Sequence, residues 1–162
     1  MASSTSLPHS CIHFYRHAPS TWNLFHDLSK NVPVVDRPDV KQLCANMNRL
    51  PGKYHLVICS TLRRARETLL LSNIQYVDVM YTDYCREHLT GCPGDHFDHE
   101  EVKEESEEEY RMRYNRFIEL LIRLQPIYPR IAVIGHSCFF HTLTGKSLQN
   151  CGMVEFVVPK GG

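Results

Sequence analysis

The sequence lacks both a surplus of charge and a long apolar run. Its 162 residues carry 18 Lys plus Arg against 18 Asp plus Glu, so the formal net charge is zero. A chain without a basic or acidic excess offers no general attraction for nucleic acid or for an anionic membrane surface. No stretch approaches the roughly 20 apolar residues of a bilayer-spanning helix. The sequence therefore predicts neither a nucleic-acid partner nor a membrane partner.

A secretory signal and a disulfide framework are also missing. Residues 1–9 are polar and are predicted to form a flexible lead-in to a single domain over residues 10–162. The opening segment has neither a basic start nor an apolar run. Seven cysteines, an odd number without regular spacing, are typical of reduced thiols. We therefore expect a cytoplasmic protein, while its oligomeric state stays unknown from the sequence.

Short apolar runs alternate with helical patterns along the chain. Strands are predicted over 11–15, 55–59, 76–80, 131–135 and 153–158. Helices are predicted from Asp36 to Leu50, from a cap at Ser60 or Thr61, from a capping box at Ser106, and from Ser137. This order predicts an α/β fold: a three-layer α/β/α sandwich with a mainly parallel central sheet.

Polar, potentially reactive residues lie where three of these strands end. Arg16 and His17 follow the first strand, Arg64 lies in the first turn after the second, and His136 follows the fourth. The carboxyl ends of parallel strands meet at one crevice, where ligands bind. Arginine's planar fork suits tetrahedral oxyanions, and unprotonated imidazole can attack phosphorus. The crevice is therefore expected to bind phosphate, with histidine as a possible nucleophile.

Four segments resemble, in order, the signature of the histidine phosphatase superfamily, on its phosphoglycerate-mutase-like branch. They are Arg16-His17-Ala18-Pro19-Ser20-Thr21-Trp22-Asn23, Ser60–Thr68, Arg86-Glu87-His88-Leu89 and Val133–Ser137. Ala18 replaces the usual glycine after the first Arg-His pair. Ser20 in place of arginine, and the lack of an aspartate at position 137, argue against the acid-phosphatase and phytase branch.

The resemblance implies a phosphatase that works through a phosphohistidine intermediate. His17 would be the nucleophile, and Glu87 would protonate the leaving oxygen and then activate water. Asp83, Asp95 and Asp98, in the same aperiodic segment, are alternatives for that acid. The implied phosphate-binding residues are Arg16, Arg64 and His136, with Asn23 and Ser20 as secondary contacts. Neither a metal nor an organic cofactor is expected, because guanidinium groups provide the positive charge.

Three other interpretations stay open at this point. One is a zinc site made of Cys85, His88, Cys92, His96 and His99, although their spacing fits no standard finger. Another is a phosphate-binding module without turnover, and the third is a mutase. Residues 88–135 are predicted to be mostly one helix and one strand, which leaves little chain for a lid and favours hydrolysis over mutase chemistry. The expected substrate is a small phosphorylated metabolite or a phosphoprotein.

Overall fold

The computed structural model describes residues 11–158, which contain five strands and five α-helices. The predicted lead-in, residues 1–9, lies outside this range. The strands are β1 (Cys11–Arg16), β2 (Tyr54–Ser60), β3 (Tyr76–Thr82), β4 (Arg130–Gly135) and β5 (Met153–Phe156). The helices are α1 (Thr21–Phe25), α2 (Pro38–Ala45), α3 (Arg63–Leu71), α4 (Glu107–Leu124) and α5 (Ser137–Thr144), with a short 3₁₀ turn at Pro93–Asp95.

The strands form one mixed sheet in the order β3-β2-β4-β1-β5. The pairs β3–β2, β2–β4 and β4–β1 are parallel, and only β5 runs antiparallel, beside β1. The prediction of a mainly parallel α/β sheet is therefore confirmed. In the register, Arg16 pairs with Gly135 and Cys59 with Ile134. This register brings the carboxyl ends of β1, β2 and β4 to the same edge of the sheet.

The sheet separates two apolar clusters, because successive side chains of a strand point to opposite faces. On one face Tyr15 and Val57 pack with residues of α2 and α3. On the other face Phe14 and Ile58 pack with residues of α4 and α5, including the fully buried Phe117. The result is the predicted arrangement of three layers. Both faces are covered, as expected for a mainly parallel sheet.

Helix ends differ most from the sequence-based expectations. The structure ends α2 at Ala45 rather than Leu50, because the N–H groups of Asn46 and Met47 donate to carbonyls three residues back and close a tight turn. Met47 is buried in that turn, so its apolar character does not require a further helical turn. The predicted capping box of α4 is confirmed: the Ser106 hydroxyl accepts from the N–H of Glu109, whose carboxylate accepts in return.

The caps predicted for two other helices are wrong. Arg37, rather than Asp36, precedes α2, and it makes no side-chain cap. Leu62 precedes α3 because Ser60 still belongs to β2. Among residues 11–158, no helix combines the length and the apolar character that crossing a bilayer requires.

Candidate active site

His17 lies directly after β1, where its backbone N–H donates to the carbonyl of Gly135 at 3.0 Å. Its ring Nδ1 is 2.7 Å from the carbonyl oxygen of Ala18. Because a carbonyl can only accept, Nδ1 carries the proton and Nε2 carries the lone pair. Burial, and then the nearby Arg64 cation, hold the pKa of His17 well below its ordinary value. The ring is therefore a neutral imidazole with an available nucleophilic nitrogen.

Arg64 aims its guanidinium at that nitrogen from the first turn of α3. Its Nε donates to Nε2 of His17 at 3.3 Å, Nη1 donates to the carbonyl of Gly94 at 2.8 Å, and Nη2 donates to Oδ1 of Asp95 at 2.6 Å. The Arg64 residue is only 5% exposed. The neighbouring Arg63 faces solvent instead. The structure thus assigns Arg64, and not Arg63, to the crevice.

His136 faces His17 across the crevice, with 5.3 Å between the ring centroids. It lies at the N-terminus of α5, and its Nε2 is 2.7 Å from the hydroxyl of Ser60 at the end of β2. Its Nδ1 is buried and makes no hydrogen bond within residues 11–158. Burial, followed by the charge of Arg64, holds the pKa of His136 well below its ordinary value. Both rings are therefore uncharged.

Arg16 provides a second guanidinium from the end of β1. Its Nη1 donates to the carbonyl of Leu148 at 2.9 Å, and its buried Nε finds no partner among the described residues. Burial lowers the pKa of Arg16, the charge of Glu87 raises it, and Arg64 lowers it. Arg16 therefore lies close to both of these charged groups. Two cations and a neutral imidazole share this edge of the sheet.

Glu87 is held at the N-terminus of α5. Its carboxylate accepts hydrogen bonds from three backbone N–H groups: His88 at 2.9 Å, Phe139 at 2.9 Å and Cys138 at 3.1 Å. Burial, with the charge of Asp95 adding to it, raises the pKa of Glu87 despite these donors. A carboxyl group with a raised pKa is suited to deliver a proton near neutral pH.

The three aspartates considered as alternatives to Glu87 have different surroundings. Asp83 contacts the hydroxyl of Thr61 away from the crevice, and Asp98 is exposed. Only Asp95 is buried beside the reactive groups, and one of its oxygens is committed to Arg64. Of the candidate acids, Glu87 therefore has the environment that best fits proton transfer.

Ser20 and Asn23 form the capping box of α1. The Ser20 hydroxyl accepts from the N–H of Asn23 at 3.2 Å, and Oδ1 of Asn23 accepts from the N–H of Ser20 at 3.0 Å. Asn150 links this cap to the nucleophile, because its Nδ2 donates to the carbonyl of His17 at 3.0 Å and lies 3.4 Å from Oδ1 of Asn23. Both residues thus border the crevice in supporting positions, and their contact with phosphate stays a prediction.

The five candidate zinc ligands are not brought together. His96 uses both ring nitrogens, one 3.0 Å from the carbonyl of Cys92 and the other accepting from the N–H of Lys103 at 3.1 Å. Cys85 is fully buried in an apolar cluster, and His88 stacks on an aromatic ring. Within residues 11–158, no group of three His, Cys, Asp or Glu side chains is placed to hold a metal ion.

Two irregular segments, 19–35 and 82–98, meet over the crevice. The ammonium group of Lys30 contacts the backbone carbonyls of Asp98 and Glu100, and Val32 lies next to Gly94. His17 is 3% exposed and His136 is fully buried. The sequence predicted little chain for a lid. The structure instead places a tight turn of the segment after Glu87 over the reactive nitrogen.

Sequence reasoning missed two contributors to the site. Ser60 was predicted only as a helix cap, although its position at the end of β2 is the same signal that identified Arg16 and His136. Asn150, which supports the backbone of His17, lies in a loop with no periodicity or motif, so nothing local could have marked it.

The fold matches solved phosphatases along nearly the whole chain. The alpha-ribazole phosphatase from Shigella flexneri is 18% identical, with a TM-score of 0.69 over 93% of this chain and 91% of that one. A mycobacterial glucosyl-3-phosphoglycerate phosphatase, solved with VO3, is 14% identical, with a TM-score of 0.62 over 90% of each chain. The protein TTHB049 from Thermus thermophilus is 18% identical, with a TM-score of 0.65 over 92% of this chain and 94% of that one.

These matches confirm, at the level of fold, the resemblance to histidine phosphatases. No family model matches the sequence, and neither does any curated protein. At such low identity the likeness concerns the architecture alone. The roles of individual side chains therefore have to be argued from their own geometry.

Proposed function

We propose that this protein is a phosphoric monoester hydrolase that carries the phosphoryl group on Nε2 of His17 during turnover. The observation that carries the proposal is the tautomer of His17. The Ala18 carbonyl holds the proton on Nδ1, which leaves a lone pair on Nε2 beside the guanidinium of Arg64. A neutral imidazole facing a cation is arranged to attack an electron-poor centre that carries anionic oxygens.

In the first step, Nε2 of His17 attacks phosphorus and the bond from phosphorus to the leaving oxygen breaks. Arg16, Arg64 and His136 hold the three equatorial oxygens, where charge accumulates in the transition state. Glu87 gives its proton to the leaving oxygen, so the alcohol departs neutral. The raised pKa of Glu87 supports this role, because a larger fraction of the group is protonated near neutral pH.

In the second step, water attacks the phosphohistidine. The Glu87 carboxylate takes the proton from water, the phosphorus–nitrogen bond breaks, and its electron pair returns to Nε2 of His17. Inorganic phosphate leaves, and Glu87 is again protonated. The guanidinium groups supply the positive charge that Mg²⁺ supplies in other phosphoryl transferases, so the proposal includes no metal and no organic cofactor.

The proposed substrate is a small phosphorylated metabolite or a phosphoprotein. The names of the Shigella and mycobacterial proteins describe phosphatases of small phosphorylated metabolites, which favours the first class. The covered crevice favours it too, because a narrow ligand reaches His17 with less displacement of the covering turn. A panel of phosphorylated metabolites and phosphopeptides, followed by phosphate release, separates the two classes.

The experiment that tests the proposal is hydrolysis of p-nitrophenyl phosphate by the wild-type protein in the presence of EDTA. We expect phosphate release that persists with the chelator and disappears in His17→Ala. Negligible rates for both proteins would contradict hydrolysis and favour a phosphate-binding module.

Mutase chemistry requires a second assay, since the covered crevice weakens the argument from chain length. With 2- or 3-phosphoglycerate, we expect either no reaction or net phosphate release. Efficient interconversion of the two isomers without phosphate release would replace hydrolase by mutase.

A further inference from the structure

The guanidinium of Arg64 is fully engaged by groups of the protein itself. Its two terminal nitrogens donate to the Gly94 carbonyl at 2.8 Å and to the Asp95 carboxylate at 2.6 Å, while Nε faces His17. These terminal nitrogens are the donors with which an arginine fork binds a phosphoryl group. Asp95 thus places a carboxylate on the donors that the proposed reaction needs for phosphate.

The turn that presents Asp95 is held firmly over the crevice. Nη2 of Arg86 donates to the backbone carbonyl of Asp95 at 2.6 Å. At Gly94 the backbone approaches so closely that an added Cβ would lie 3.2 Å from a methyl carbon of Val32. Because Arg64 and Asp95 are both more than nine-tenths buried, an external anion cannot engage Arg64 while this turn stays in place.

We propose that Asp95 is an internal competitor of the phosphoryl group, which substrate must displace from Arg64. This inference rests on the proposed function, since it assumes that Arg64 binds phosphate. On binding, the Arg64–Asp95 ion pair is exchanged for an Arg64–phosphoryl pair, and the Pro93–Asp95 turn moves off the crevice. The apparent affinity for phosphate is then lowered by the free energy needed to release Asp95.

The exchange has a physical reason. A buried guanidinium without a partner is strongly unfavourable, so Arg64 needs a counter-charge when no substrate is bound. Asp95 supplies one negative charge, and a phosphoryl dianion brings two. The dianion can therefore replace the carboxylate, while Arg64 is paired both before and after binding.

The first test compares Asp95→Asn with the matched control Asp98→Asn. Asparagine keeps the shape and an oxygen that accepts from Nη2 of Arg64, but it removes the competing charge. Asp98 lies in the same segment and is exposed. The measurement is the dissociation constant of inorganic phosphate for each protein by isothermal titration calorimetry.

We expect Asp95→Asn to bind phosphate at least about tenfold more tightly than wild type, because a hydrogen bond to a charged partner contributes that much. Asp98→Asn should bind as wild type does. If wild type binds phosphate and Asp95→Asn binds it equally or more weakly, Asp95 orients Arg64 and competition is wrong, while the proposed function stands. If neither protein binds phosphate, the competition and the proposed function both fail.

A second measurement uses the unmodified protein and so does not depend on the folding of a variant. Hydrogen exchange is followed in a peptide covering residues 92–97, with and without saturating inorganic phosphate. Displacement of the turn predicts faster exchange there when phosphate is bound, although ligands usually protect the segments around them. Slower or unchanged exchange in this peptide would overturn the displacement.

Discussion

His13 and His17 lie in β1 and just after it, both are buried, and burial is the largest cause that lowers the pKa of each. Their neighbours differ. Nδ1 of His13 is 2.8 Å from the hydroxyl of Tyr54, which in turn is 2.7 Å from the hydroxyl of Tyr15. These partners are neutral phenols, and the network lies inside the core.

Around His17 the neighbours are cations and a second histidine. Arg64 points at its free nitrogen, and the ring of His136 lies opposite. Near His13, the guanidinium of Arg130 instead lies 4.8 Å from the ring centre of Tyr54. The comparison teaches that a buried, neutral histidine does not by itself mark a site. Donors that converge on an available lone pair do.

The largest expected effect breaks this comparison directly. His17→Ala should lower kcat for p-nitrophenyl phosphate by roughly four orders of magnitude or more, because the nucleophile is lost. His13→Ala should keep kcat near wild type but lower the free energy of unfolding by about 1–3 kcal/mol, since it leaves the Tyr54 hydroxyl short of a partner. Phosphate-release assays and urea titrations of both variants check this. A folded His13→Ala protein without turnover would erase the distinction.

The next effect concerns neighbouring arginines with opposite surroundings. Arg64→Lys keeps the charge but loses the planar fork, so we expect kcat/KM to fall by roughly a hundredfold. Arg63→Lys is the matched control, because Arg63 is exposed and forms its ion pair with Glu67 at 3.0 Å, outside the crevice. Steady-state kinetics of the two variants measure the difference. Near-normal activity in Arg64→Lys would mean that the wrong arginine has been assigned.

A third prediction sharpens the role of Glu87. Glu87→Gln should slow hydrolysis of alkyl phosphates by roughly 10²- to 10⁴-fold, because their leaving oxygen needs a proton. Cleavage of the p-nitrophenyl ester should suffer less, since p-nitrophenolate leaves without one. Thermal unfolding serves as a control, because the carboxylate also binds the N-terminus of α5. Equal losses for both esters would argue that Glu87 is not the acid.

The smallest effect is on stability against pH. His13, His17 and His136 all have lowered pKa values in the folded protein, so the unfolded chain takes up protons first as pH falls through the ordinary value of 6.5. Stability should therefore be full above about pH 7 and decline towards pH 5, by up to about 1.4 kcal/mol per pH unit for each histidine. Urea titrations at several pH values measure this slope. His13→Ala should make it shallower, and an unchanged slope would contradict the account.

The sequence could predict the features that depend on local signals. The capping box at Ser106 and Glu109 needs only two side chains of one turn, and the strand ending at Gly135 is a continuous apolar run. The site followed in the same way, because Arg16, Arg64 and His136 each come at or just after the end of a buried strand. Their convergence is then a consequence of parallel strands sharing one edge.

Other features depend on contacts between distant segments and left no local trace. The Arg64–Asp95 ion pair joins α3 to an aperiodic turn, and the sequence alone marked Asp95 only as one of several nearby acids. Helix α1 was not predicted, because its five residues bury no side chain and show no periodicity. The end of α2 was misjudged because Met47 continues the apolar spacing beyond the last helical turn.

The most direct test of the central claim is to identify the phosphorylated residue during turnover. The protein is mixed with a ³²P-labelled monoester and quenched in alkali, in which phosphohistidine survives, and the labelled peptide is sequenced by mass spectrometry. We predict an acid-labile, alkali-stable label on His17. A label on His136 or Ser60, or steady turnover with no labelled protein at any time, would contradict the account.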